Sequence, residues 1–410
     1  MELYKREKYL SKIRGFYHET DLIKVITGIR RCGKSSLMQT IAEELIDSGI
    51  NEENIVFINL DKYGYKNIRK QEDLEKLLFE RNYPKGIKYI FIDEIQNVDG
   101  FELVLNELRE EGDFSIFITG SNSYLLSGEL VTKLTGRYIE FELFTLTFDE
   151  YEEMKKFYGK SIDNDSVKEL DNYIYEGGFP RTINLDNIQD KRKYTDEVIK
   201  EIFEKDIKRR IKIKNVESFD IVMNYIINNF GSPTNINNIC IDLTSKGISI
   251  TRNTITKYIN ALIDAKILHE CKRFDIKSRK SIGAENKYYL ADLSLYFSRN
   301  TDNRINYGPV LENIIYIYSR SLGYAVSVGK IGNLECDFIV RDNDMNYAYI
   351  QVALTIMNSK NTEDREYRPL EMIRDNYPKY LLTRRDLQQK RNGIKHEDLI
   401  EFIKEKRLFV

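Results

Sequence analysis

Val25-Ile26-Thr27-Gly28-Ile29-Arg30-Arg31-Cys32-Gly33-Lys34-Ser35-Ser36 lies between two patterns of different period. Upstream, Leu22 to Thr27 is an apolar run that predicts a buried strand; downstream, Ser36 to Ile46 repeats its apolar residues at helical spacing. Between them, Gly28-x-x-x-x-Gly33-Lys34-Ser35 has the Walker A spacing of a phosphate-holding loop. The residue types fit that chemistry. Glycines let backbone N–H groups turn into the loop, where they and the helix N-terminus hold phosphate oxygens. Arg31, Cys32 and Ser36 belong to the same cradle. Lys34 is placed to reach the β- and γ-phosphates, and the Ser35 hydroxyl to ligate Mg²⁺. ATP with Mg²⁺ is the expected ligand pair.

At 410 residues the chain is too long for one ordinary domain, so two or three are expected. Hydrophobic content of 41% and charged content of 31% describe a globular protein rather than a disordered one. The net charge of -2 supplies no overall positive field, so contact with nucleic acid has to come from a local patch. Apolar runs are strand-sized, and Met1 to Arg6 lacks a signal-peptide core, so the expectation is a cytoplasmic protein without a membrane partner. Cys32, Cys240, Cys271 and Cys336 form no C-x-x-C pair, and His18, His269 and His396 add no metal-ligand spacing. Neither structural zinc nor a disulfide framework is expected. The charged lead-in, residues 1 to 21, carries no readable chemistry.

Further along, Asn54 to Leu60 predicts a second buried strand and Glu72 to Phe79 a helix. Ile87 to Glu94 is an apolar strand ending in two carboxylates, the Walker B pattern. Asp93 is positioned to hold Mg²⁺ and Glu94 to polarise the attacking water. A helix from Phe101 to Glu111 precedes a fourth strand, Phe114 to Asn122, whose polar end offers Asn122 or Ser121 as a γ-phosphate sensor; a helix N-cap at Ser121 or Ser123 is the alternative. A helix from Tyr124 to Leu134 leads to Gly136-Arg137 and a fifth strand, Tyr138 to Phe144. Apolar strands alternating with helices predict an α/β fold with a parallel sheet covered on both faces.

Gly28 to Ser35, Ile90 to Glu94, Thr119 to Asn122 and Thr135-Gly136-Arg137 together resemble a prokaryotic AAA+-type P-loop ATPase. The resemblance implies strand order 5-1-4-3-2, with an extra strand between the Walker A and Walker B strands. It also implies that Arg137 is an arginine finger reaching a neighbouring subunit, hence a homo-oligomer; an arginine capping the preceding helix is the plainer reading.

Phe148 to Tyr158 and Ser166 to Tyr175 predict amphipathic helices of a small lid. In Glu176-Gly177-Gly178-Phe179-Pro180-Arg181 the resemblance offers Arg181 as a second phosphate sensor, against a plain turn. Lys191 to Ile213 reads as a long charged connector helix. Three short helices (216–230, 235–245, 251–265) and a hairpin-like stretch, Ile267 to Leu290, have the order of a winged helix. Its third helix opens with Thr251, Arg252, Asn253, Thr254 and Lys257. Lys272, Arg273, Lys277, Arg279, Lys280 and Lys287 populate the expected wing, so double-stranded DNA is one candidate partner and a protein client the other.

The tail predicts a helix, a three-strand meander, a helix, a strand and a final helix from His396, resembling a PD-(D/E)xK nuclease. Glu312, Asp337 and Gln351 fall at the positions that fold uses for its metal, but Ala353 stands where it keeps its lysine. The resemblance therefore implies a degenerate nuclease-like domain. The whole layout resembles a family of archaeal and bacterial ATPases whose C-terminal region has no known function. The expected domains are an ATPase core (1–145), a helical lid and connector (146–214), a winged helix (215–295) and the tail (305–410). Three functions follow: an ATP-hydrolysing switch acting on a partner, a DNA-binding regulator with a vestigial ATPase, and an ATP-coupled nuclease. Intact Lys34, Ser35, Asp93 and Glu94 argue for the first.

Overall fold

Strands without polar alternation need cover on both faces, and the three central ones of the first half have it. In the computed structural model, which describes residues 2–120, 134, 136–213, 215–278, 280–299 and 305–410, β1 (Ile23–Thr27) is buried at every position. The chain divides into two units, Met1–Phe144 with Asp264–Lys266, and Thr145–Ile263 with Ile267–Val410.

In the first unit, β1 joins β2 (Ile55–Asn59), β3 (Lys88–Asp93), β4 (Phe114–Thr119) and β5 (Tyr138–Glu142) in one parallel sheet of order β2-β3-β4-β1-β5, pairing directly with β4 and β5. This is the expected 5-1-4-3-2 order, with β4 between the strands that carry the glycine loop and Asp93. The helices are α1 (Glu7–Ile13), α2 (Lys34–Asp47), α3 (Gln71–Phe79) and α4 (Phe101–Glu110). On one side of the sheet Val25, Ile58, Ile90 and Ile116 pack with Leu74, Val104, Leu105 and Leu108. All five strands run the same way, so the segments after β1, β3 and β4 emerge at one edge, where parallel sheets bind ligands.

One residue interrupts the apolar run of β1. Lys24 is 0% exposed; its Nζ donates to the Glu19 carbonyl at 2.6 Å and to Ser115 Oγ at 2.9 Å, and it stands 4.6 Å from the centre of the Phe117 ring.

The second unit begins with α5 (Phe148–Phe157), α6 (Ser166–Glu176) and α7 (Ile188–Ile202), followed by α8 (Val216–Asn228), α9 (Ile236–Ser245) and α10 (Arg252–Asp264). Next come β6 (Leu268–Asp275), β7 (Lys280–Leu290), α11 (Ser294–Arg299), α12 (Tyr307–Leu322), β8 (Ala325–Ile331), β9 (Leu334–Arg341) and β10 (Tyr347–Ala353). The chain closes with α13 (Lys360–Met372), β11 (Lys379–Thr383), β12 (Lys390–Arg391), β13 (Ile394–Asp398) and α14 (Leu399–Lys404). Its sheet is mixed, in the order β12-β13-β11-β10-β9-β8-β6-β7.

Three expectations are corrected here. The connector helix starts at Ile188, capped by Asn187, and gives way after Ile202 to a wider turn in which the Lys208 N–H reaches the Phe203 carbonyl at 2.8 Å. His396 belongs to β13, because Ile394 and His396 are buried on alternate positions around exposed Lys395; the last helix starts at Leu399 with Asp398 as its cap. The β6–β7 hairpin is no free wing: β6 pairs in parallel with β8, which makes the hairpin the edge of the eight-stranded sheet. Among the described residues no helix is long and apolar enough to cross a membrane.

Candidate functional site

The loop after β1 is shaped by its glycines. Gly28 has φ +142°, and a Cβ there would stand 2.1 Å from the Leu143 carbonyl oxygen; Gly33 has φ 109° and caps α2. Past Gly33, the first-turn N–H groups of α2 have no carbonyl within their own helix to bond. Lys34 is 4% exposed and curls back over the loop, its Nζ donating to the carbonyls of Gly28 at 2.9 Å and Ile29 at 3.2 Å. Arg31 takes a left-handed backbone with φ 70°. Cys32 is 0% exposed, and burial raises its thiol above the ordinary range, so its side chain packs while its main chain shapes the loop. Ser36 is exposed on the first turn and its carbonyl accepts the Thr40 hydroxyl.

Asp93, at the end of β3, is the hub of the edge. Ser35 Oγ donates to its Oδ2 at 2.6 Å and Asn59 Nδ2 to the same oxygen at 2.7 Å, while Thr119 Oγ1 donates to its Oδ1. Thr119 Oγ1 also accepts the Glu94 N–H at 3.0 Å, locking β4 to the β3 terminus. Glu94 is 8% exposed and held at φ 59°, ψ 47°, a left-handed conformation that costs a non-glycine residue about 1–3 kcal/mol. Such strain, held by the surrounding bonds, aims the carboxylate. Gln96 Nε2 donates to Glu94 Oε2, and Arg30 stands 3.7 Å from Glu94 and 3.6 Å from Asp61.

A hydroxyl and a carboxylate oxygen in contact beside a buried ammonium are a suitable donor set for a hard divalent cation with a polyphosphate. Ser35 and Asp93 could hold Mg²⁺, and Lys34 with the loop N–H groups could hold phosphate. The structure brings Gly28, Arg31, Cys32, Gly33, Lys34, Ser35, Ser36, Asp93 and Glu94 to this edge. Arg137 lies elsewhere in the same unit: its carbonyl accepts from Ile23 at the start of β1, at the opposite end of the sheet, and its guanidinium is 3.9 Å from Glu110. Ser121, Asn122, Ser123, Thr135 and most of the helix expected before Leu134 lie outside the described residues.

Three contributors escaped the sequence reading. Thr119 was legible as the last polar position of an apolar strand beside Walker B. Arg30 is 6% exposed although it follows the loop's glycine as an ordinary charged residue. Arg6, in the lead-in that showed no chemistry, donates to the Cys32 carbonyl at 3.2 Å and the Phe144 carbonyl at 2.8 Å; nothing in the local pattern marks it.

In the second unit, Arg181 is exposed on the 3₁₀ turn Pro180–Asn184. The paired glycines before it have a packing reason: a Cβ on Gly177 would stand 2.1 Å from Asp292 Oδ1, and one on Gly178 2.3 Å from the Leu146 carbonyl oxygen. Of the expected wing cations, Lys287 is buried and ion-paired to Glu312 at 3.0 Å and Glu335 at 2.8 Å; Arg273 is paired to Glu285 and Glu335. Neither is available to a phosphate backbone, while Arg279 lies outside the described residues.

Glu312, Asp337 and Gln351 do converge. Tyr289 donates to Glu312 at 2.8 Å, Asp337 Oδ2 accepts the Val352 N–H at 2.8 Å, and Gln351 Nε2 donates to Glu366 at 3.0 Å. Burial and then the Glu312 carboxylate push Asp337 well above the ordinary carboxylate range. Burial alone would depress Lys287, but Glu312, Asp337 and Glu335 hold it above its ordinary value. Where the lysine expected at position 353 is missing, a different cation, Lys287 on β7, is ion-paired to Glu312. No set of three His, Cys, Asp or Glu among the described residues is arranged to hold a metal ion.

Comparison with known proteins accords with the geometry of the first unit. Residues 20–152 match a family model described as an AAA domain, and residues 167–303 one described as a domain of unknown function. The unknown-function match therefore falls on the middle of the chain rather than on its C-terminal region. An uncharacterized protein of Haemophilus influenzae is 34% identical over 388 residues, 94% of this chain and 94% of that protein. The uncharacterized protein MJ1544 of Methanocaldococcus jannaschii is 30% identical over 90% of this chain and 83% of its own length. The Walker-type ATPase PABY2304 of Pyrococcus abyssi shares the fold, with TM-score 0.51 and 13% identity over 72% of this chain and 96% of that one.

Proposed function

The chain belongs to the family of these Haemophilus and Methanocaldococcus proteins and carries an AAA-type P-loop ATPase domain, and from that premise we propose that it is a Mg²⁺-dependent ATP hydrolase acting as a conformational switch on a macromolecular partner. The observation that carries this reading is the 2.6 Å contact between Ser35 Oγ and Asp93 Oδ2, with Glu94 fixed beside it in a strained backbone. Lys34 and the N–H groups of the loop bind the β- and γ-phosphates. Ser35 and Asp93 hold Mg²⁺, which when bound screens the phosphate charge. Glu94 accepts a proton from the attacking water, and Arg30 and Gln96 orient its carboxylate.

The test separates binding from chemistry. Lys34→Ala should lose ATP affinity, whereas Glu94→Gln should retain affinity and lose turnover. Equal loss of binding in both variants would remove Glu94 from its role, and undiminished turnover in Lys34→Ala would end the reading altogether. The same Glu94→Gln protein, stalled with ATP, should retain its client in a pull-down. A duplex-DNA partner is favoured by α10, which leaves Arg252, Asn253 and Lys257 exposed along its first turns. We assign the tail a nuclease-like fold without cleavage: Ala353 supplies no lysine, and Lys287 is committed to Glu312 and Glu335.

A further inference from the structure

On one face of the eight-stranded sheet a cavity of about 680 Å³ opens beside the end of α13. Its floor is aromatic and aliphatic: Phe274 on β6, Ile339 on β9, and Tyr347 and Tyr349 on β10. Tyr377, 41% exposed, also lines the cavity, its ring 5.3 Å from that of Tyr347 at 60°. Two exposed cations, Lys277 and Arg374, line the same cavity, and neither has an ion-pair partner among the described residues. The single lining carboxylate, Asp375, is engaged: Tyr349 Oη donates to its Oδ2 at 2.5 Å and the Tyr377 N–H to its Oδ1 at 3.2 Å.

This volume suits a small ligand, and an apolar body with a few convergent polar groups is the usual composition of a binding pocket. The wall chemistry narrows the class. A net positive charge, two cations against one carboxylate, at an aromatic cavity calls for an anion joined to a flat ring, since a ring offers its π-face to tyrosine without needing hydrogen bonds. An extended peptide fits less well. β6, β8, β9 and β10 are each paired on both sides, so the floor has no free strand edge to which peptide backbone could bond.

We infer that this cavity binds a nucleotide unit, its base stacked on Tyr377 with the tilted Tyr347 ring beside it and its phosphate on Lys277 and Arg374. The unit comes either from a free mononucleotide or from a single-stranded nucleic acid. The site is separate from the Walker loop and does not depend on the ATPase reading.

Fluorescence polarisation of labelled (dT)8 with the full chain tests it, using unlabelled dTMP as competitor. Wild type should bind at low salt with a log–log salt slope of about −0.7, for the one phosphate that the two cations neutralise. Lys277→Ala with Arg374→Ala should flatten that slope, and Tyr377→Ala should weaken binding roughly 5- to 150-fold. ATP turnover and the unfolding temperature should stay at wild-type values in every variant, since all three positions are exposed. Displacement by dTMP at concentrations near its own affinity marks a free-nucleotide site; resistance to dTMP marks a strand-binding one. No polarisation change at low salt, or binding unaltered in all the variants, would overturn the inference.

Discussion

Gly28 and Lys24, four residues apart, show how far a single residue type can be read. With a Cβ at Gly28 only 2.1 Å from the Leu143 carbonyl oxygen, the loop and β5's exit cannot both keep their places. Gly28→Ala should therefore lose nucleotide affinity and lower the unfolding temperature together, measured by titration and thermal melt. That demand was legible, because Walker A spacing calls for glycine there. Lys24 was not: in an apolar run it reads as an edge or register irregularity, yet it is fully buried. Burial pulls its ammonium down to about 7 from an ordinary 10.5. Between those values the unfolded chain holds a proton that the folded chain has released, so this lysine should make stability rise with pH from about 7 to 10.5 and leave it level below 7, where both states are charged. Lys24→Met should flatten this dependence, read from denaturant melts across the pH range. A steeper dependence in Lys24→Met would contradict the assignment.

At the scale of elements, the β6–β7 hairpin was visible in the sequence but its partner was not. Strand period and turn residues are local signals, whereas the pairing of Phe274 with Gly329 joins residues far apart in the chain, and no local pattern encodes it. The error had a chemical consequence, since two residues counted as phosphate-binding cations are structural. Lys287→Ala leaves Glu312, whose side chain is 13% exposed, without its ammonium, while Glu335 keeps Arg273, and should cost about 3–5 kcal/mol in chemical unfolding. If the hairpin and α10 contact duplex DNA, replacing the exposed Lys272 and Lys280 should reduce the salt slope of binding by about 2, near 0.9 for each cation. An unchanged slope would leave α10 without help from the hairpin. His396 illustrates the same limit: one buried histidine between charged neighbours looks helical or extended with equal ease until Thr383 bonds its Nε2 at 2.7 Å from the next strand.

For the molecule as a whole, the parallel sheet and its Walker edge were legible because the three central strands are largely apolar and each motif sits at a strand's end. The α/β tail was legible as elements, but the eight-stranded sheet that joins it to the hairpin depends on contacts that sequence order hides. Arg137, at the far end of β1 and β5 from the loop, should leave ATP affinity unchanged when replaced by Ala; a loss of affinity would mean that it reaches nucleotide within its own subunit. The measurement that bears most directly on the account is phosphate release from ATP by the full chain, with Mg²⁺ and with excess chelator, in wild type and in Asp93→Asn. Hydrolysis that requires Mg²⁺ and collapses in Asp93→Asn is the predicted result; release that persists in chelator, or that survives loss of the Asp93 charge, would contradict it.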